Sequence, residues 1–75
     1  MNFLAIDVET ANADYSSICQ IGIAEFQNGE IIDKWKVLIN PEDYFDPFNV
    51  SIHGITENDV KNAPTFKQVY EELNN

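Results

Sequence analysis

The pair Asn28-Gly29 does more than any other feature to restrict what this chain can become. It joins two strand-like runs, ICQIGIAEFQ at 18–27 and EIIDKWKVLIN at 30–40, the second with partial alternation of apolar and polar residues. A two-residue link between antiparallel strands favours the type I′ turn. That turn needs positive φ at both central positions, which Asn and Gly tolerate. The two runs are therefore predicted to be antiparallel neighbours in a sheet.

Upstream, residues 2 to 8 read as a first strand, and TANADYSS at 10–17, small and polar, as a loop. Pro41 ends the third strand, and PEDYFDPFNVSIHG at 41–54 reads as a long loop rich in aromatics, of a length that is often functional. Thr56 and Asp59 have the spacing of a capping box, so a helical turn starts there, and Pro64 closes it. Thr65 and Gln68 form a second box before Phe66, Val69, Tyr70 and Leu73, which share one helix face. Glu71 and Glu72 fall at the end of this helix, where the macrodipole disfavours negative charge, and Asn74-Asn75 stand where a cap would. Three strands and one good helix leave one face of an apolar sheet poorly covered. Residues 1–75 are thus expected to be the N-terminal portion of a single larger domain, its sheet incomplete.

Thirteen acidic residues against four lysines leave a formal charge of −9. With so few basic residues no basic patch is expected, and a phosphate-bearing partner has to be held through cations or by sequence outside these residues. A hydrophobic fraction of 44% argues against disorder. The lone Cys19 cannot form an internal disulfide and sits in an apolar run, where it reads as buried filler in a reducing compartment. No run is long enough to span a membrane and no secretory leader is visible, so the expected location is cytoplasmic.

FLAIDVET at 3–10 places two carboxylates, Asp7 and Glu9, at the end of an apolar strand. Alternation puts both on one face, roughly 7 Å apart at the backbone. Hard cations such as Mg²⁺ or Mn²⁺ take oxygen ligands and would neutralise the repulsion. A bare D-x-E more often ends a strand and faces water, so the pair is informative only with company.

That company is DVET, then ICQIGIAEF with its hairpin, then SIHGIT and APTF, in this order over essentially the whole chain. The set resembles the DEDD-type 3′–5′ exonucleases, a family that includes ribonuclease T and the ε proofreading subunit of DNA polymerase III. The resemblance implies an α/β fold of the ribonuclease H-like class, beginning with a three-stranded antiparallel meander followed by helices. It implies a hydrolase that releases nucleoside monophosphates from 3′ ends of single-stranded or frayed DNA or RNA, using two Mg²⁺ or Mn²⁺ ions in the complete domain. DNA polymerase subunits are further candidate partners. By position, Asp7 resembles the catalytic carboxylate that bridges both metals and Glu9 a ligand of one. Thr10 resembles a contact to the terminal nucleotide, and Ile52 and His53 resemble the lining of the 3′-end pocket.

The later family motifs, an H-N-x-x-F-D-like segment and a histidine followed by an acid, have no counterpart here. Half of the metal shell is therefore absent from these residues, and the 75-residue chain is expected to be inactive alone. His53, the only histidine, holds a substrate-side position and is not assigned as the general base. Trp35, Phe26 and Tyr70 are expected in the core, whereas Tyr44, Phe45 and Phe48 are candidates to stack on bases. A non-catalytic module that self-associates through exposed sheet edges is the alternative of another class.

Overall fold

The computed structural model describes residues 1–73, the last of them by its backbone. The expected cap at Asn74 and Asn75 lies outside the described residues. Strands β1 (Phe3–Thr10), β2 (Ile18–Gln27) and β3 (Glu30–Leu38) form an antiparallel sheet in the order β1-β2-β3. The turn between β2 and β3 has positive φ at Asn28 (54°) and Gly29 (82°), as the I′ reading requires. Relative to the sequence reading, β1 runs two residues further, to Thr10, and β3 stops at Leu38 rather than residue 40.

Register assigns the two faces. Phe3, Ala5, Asp7 and Glu9 of β1 stand opposite Phe26, Ala24, Gly22 and Gln20 of β2. The last three of these stand in turn opposite Lys34, Lys36 and Leu38 of β3. Phe3 and Phe26 stack with ring centroids 4.7 Å apart, a cross-strand pair of the kind worth about 0.5–1 kcal/mol. The other face carries Leu4, Ile6, Val8, Ile21, Ile23, Trp35 and Val37. It is open to solvent: Ile6 is 67% and Trp35 47% exposed. The expectation that one apolar face is poorly covered is met. Trp35 and Tyr70, read as core residues, are exposed instead, Trp35 on the open face of the sheet and Tyr70 on the last helix.

The core gathers instead at one end of the sheet. Cys19, Ile55 and Val60 form a buried cluster with Leu38, Phe45 and Ala63 packed around it, and Ile39 is buried as well. Ile39 N–H donates to Cys19 O (2.9 Å) and Asn40 N–H to Pro64 O (2.8 Å), which draws the chain after β3 against the helical segments. Helix α2 (Glu57–Val60) has the expected capping box between Thr56 and Asp59. Helix α3 (Phe66–Leu73) starts with the second one, Thr65 N–H donating to Gln68 Oε1 and Gln68 N–H to Thr65 Oγ1. Near its end Glu71 pairs with Lys67 at 3.9 Å on the exposed surface, a contact of about 0.3–0.5 kcal/mol.

The stretch read as one long loop holds a helix, α1 (Pro47–His53). Asp46 caps it through a bond from Phe48 N–H, Pro47 occupies its first turn, and Gly54 ends it in the left-handed conformation at φ 74°. This is the arrangement in which Pro begins a helix and Gly ends it. It escapes a reading by apolar periodicity because Phe48 and Ile52 face solvent while the residues that dock the helix are polar.

Candidate active site

Asp7 and Glu9 occupy the same sheet face, opposite Gly22 and Gln20. Among the described residues neither carboxylate is held by a hydrogen bond or ion pair. Two like charges about 7 Å apart repel by roughly 0.6 kcal/mol in water and about 2 kcal/mol at an effective dielectric of 20. The pair thus stays at the strand end with no side chain among the described residues paired to it. Its oxygens are the donors that a hard divalent cation prefers. Among the described residues no third His, Cys, Asp or Glu completes a metal-binding group with them. The donor set fits part of such a centre.

The end of β1 is fixed from outside the sheet. Asn49 and His53, four residues apart in α1, project from the same side of the helix and converge on Thr10. Asn49 Nδ2 donates to the Thr10 carbonyl at 3.2 Å and lies 3.4 Å from its hydroxyl, and His53 Nε2 meets the same carbonyl at 2.9 Å. Ile55 N–H donates to His53 Nδ1 at 2.9 Å. Since that donor has a fixed proton, Nδ1 is the bare nitrogen and Nε2–H is the donor to Thr10. Both ring nitrogens are engaged, so His53 is a strut between α1 and β1. Ring ¹⁵N shifts of His53 at pH 8 are expected to show a protonated Nε2 and a bare Nδ1; the opposite tautomer would contradict this latch.

A second hub braces the loop after β1. Asn12 is 2% exposed. It donates from its backbone to Ser17 Oγ (3.1 Å) and from Nδ2 to Tyr44 O (3.0 Å), and its Oδ1 accepts from Asp14 N–H (2.9 Å). Ala11 N–H donates to Ser17 O and Asp46 N–H to Ala11 O, both at 2.8 Å. Asp46 also caps α1, so this network seats the helix that holds Thr10.

The structure therefore brings Asp7 and Glu9 onto one face and joins Thr10 directly to His53. Ile52, one residue before the latch, is exposed on α1. Of the loop aromatics, Phe45 packs on the buried cluster, whereas Tyr44 and Phe48 are open to solvent. Asn49 and Asn12 were not singled out by the sequence reading. The one signal for Asn49 was its i, i+4 spacing to His53, visible only once 47–53 is known to be helical.

Cys19 is wholly buried, as expected of filler. Burial pushes its thiol pKa up, and the negative charge of Glu9 adds to this. The thiol is therefore held neutral, and since the thiolate is the reactive species, iodoacetamide at pH 8 is expected to label Cys19 slowly in the folded chain and fast in urea. Equal rates would show that the end of the sheet opens freely.

The comparisons with known proteins agree with this geometry. The family model RNase_T, an exonuclease, matches residues 4–75. The 3′-5′ exonuclease DinG of Staphylococcus aureus (strain MRSA252) is 36% identical over 73 residues, covering 95% of this chain and 8% of that protein. DinG of strain USA300 is 34% identical over the same length. Exonuclease X, solved in complex with 5′ overhanging duplex DNA, superposes with a TM-score of 0.81 at 27% identity, covering 93% of this chain and 42% of that one. Cell-death related nuclease 4 gives a TM-score of 0.77 at 26% identity, over 97% of this chain and 28% of the other. The chain thus spans a small part of the DinG relatives and less than half of the exonuclease X chain. A ribonuclease H-like meander carrying D-x-E at the end of its first strand, matched over nearly all its length by the RNase_T model, places this chain in the DEDD-type exonuclease family.

Proposed function

We propose that these 75 residues are the N-terminal part of a metal-dependent 3′–5′ exonuclease domain that hydrolyses terminal phosphodiesters of DNA or RNA. The observation that supports this most is the uncompensated Asp7–Glu9 pair on one face of β1, in a chain of this family. Asp7 and Glu9 would hold the divalent ions, Mg²⁺ or Mn²⁺. Bound there, such ions supply charge neutralisation at the phosphate and a more acidic water. The chain's own residues keep the two carboxylates level through the β1–β2 register. They also clamp the backbone just beyond them through Asn49 and His53. Thr10 and Ile52 are assigned to the 3′-terminal nucleotide, with His53 acting on it through the Thr10 carbonyl. The lone buried cysteine supports a cytoplasmic setting.

The test uses these residues within a complete exonuclease domain, end-labelled single-stranded DNA and RNA, and Mg²⁺ or Mn²⁺. Nucleoside monophosphates are expected from the 3′ end, whereas the 75-residue chain alone releases none. Release that ignores chelation by EDTA would overturn the reading.

A second reading rests on the open apolar face, where Leu4, Ile6, Val8 and Trp35 are all exposed. Surfaces of this kind serve assembly. Sedimentation velocity at several concentrations distinguishes the two: a metal-indifferent oligomer of the 75-residue chain favours a binding module.

A further inference from the structure

The sheet register gathers charge that the sequence disperses. Two of the four lysines, Lys34 and Lys36, lie on the same face as Asp7 and Glu9, in the rows of Ala5 and Asp7. Between the two charged strands β2 presents Gly22 and Ala24, so the face is a trough with an acidic wall and a basic wall. This open hollow measures about 640 Å³ and is lined by Asp7, Glu9, Gly22, Ala24, Lys34 and Lys36 among others. The stem of Lys36 leans over the glycine: a methyl added at Gly22 would stand 3.9 Å from Lys36 Cγ and 3.8 Å from the Asp7 carbonyl. Two strand spacings, about 10 Å, separate Lys36 from Asp7 at the backbone. Among the described residues neither Lys34 nor Lys36 has an ion-pair partner.

We propose that Lys34 and Lys36 bind the backbone phosphates of a single-stranded nucleic acid that crosses Gly22 and Ala24 toward the Asp7–Glu9 pair. The proposal rests on the exonuclease reading and adds to it a substrate track on β3. The physical need is clear. A chain of net charge −9 repels a polyanion, and metal ions at the strand end attract only the terminal phosphate. Unpaired ammonium groups along the approach attract the phosphates behind it, and they read no base, which suits an enzyme that shortens any sequence. The absence of a side chain at Gly22 lets the backbone lie close to the sheet between the two walls.

The test is an NMR titration of the 75-residue chain in Mg²⁺ with a single-stranded deoxyhexanucleotide and its ribonucleotide counterpart, repeated at several salt concentrations. Shifts are expected at residues 34 and 36. Each Lys→Gln change at these positions lowers affinity about fivefold at 0.1 M salt and flattens the slope of log K against log salt by about 0.7. Lys36→Arg retains binding, and Lys61→Gln, which changes a lysine outside this trough, leaves it unaltered. Gly22→Val keeps every charge, suits a strand and fills the trough, so it also weakens binding. Unchanged affinity and slope in the Lys34→Gln/Lys36→Gln variant overturn the proposal, as does failure of the unaltered chain to bind. Asp7→Asn separates the two claims: if it binds as tightly as the parent in Mg²⁺, the track stands and the metal reading falls.

Discussion

Asp7→Ala, made within a complete exonuclease domain, is expected to reduce release of nucleoside monophosphates by about a thousandfold or more. That figure corresponds to about 4 kcal/mol of the electrostatic stabilisation that a bound divalent ion supplies. The same change in the 75-residue chain is expected to weaken Mn²⁺ binding at least about tenfold, read by the loss of Mn²⁺-induced line broadening around β1. The fold should not suffer. Asp7 is solvent-facing and makes no hydrogen bond or ion pair among the described residues. Removing it relieves repulsion with Glu9 of about 0.6 kcal/mol where both are solvated. The melting temperature is therefore expected to hold or rise slightly, the signature of a group kept for function at the expense of stability. Glu9→Ala should behave alike in both respects. An Asp7→Ala domain with full nuclease rate would remove the mechanism, whereas a large drop in melting temperature would assign Asp7 to the framework.

The second large effect is expected far from any charge that reacts. Asn12→Ala should destabilise the chain by about 2–4 kcal/mol in urea unfolding. It strands the Tyr44 carbonyl and the Asp14 N–H in a part-buried place, at about 1–3 kcal/mol for each unpaired group. In a domain this small, with one sheet face open, such a loss is a large share of the total. The consequence reaches the site: once Asn12 lets go, the segment carrying Asp46 loosens, and with it the cap of α1 and the latch on Thr10. Asn12→Asp keeps the acceptor for Asp14 N–H but turns the donor to Tyr44 O into a second acceptor bearing charge. It should be at least as destabilising at pH 7. A variant with either change that unfolds at the parent's urea concentration would show that the loop is held by other means.

What could be read without coordinates and what could not divide along a physical line. The hairpin, both capping boxes and the shared face of Asp7 and Glu9 depend on neighbours within four residues or on the twofold period of a strand, so residue order alone determined them. So did the excess of apolar sheet over available cover. Helix α1 was legible in principle from Asp46, Pro47 and Gly54, but its docking side is polar, and an apolar stripe is what betrays most helices. The latch of Asn49 and His53 on Thr10 and the hub at Asn12 join residues some 30 to 45 apart along the chain. No local preference encodes such pairings; they exist because packing around Cys19, Ile55 and Val60 brings distant segments together. The lysine track depends on strand register in the same way. Four scattered lysines are merely few, until β3 pairs with β2 and sets two of them on the face of the acids, Lys36 across Gly22 from Asp7 and Lys34 across Ala24 from Ala5.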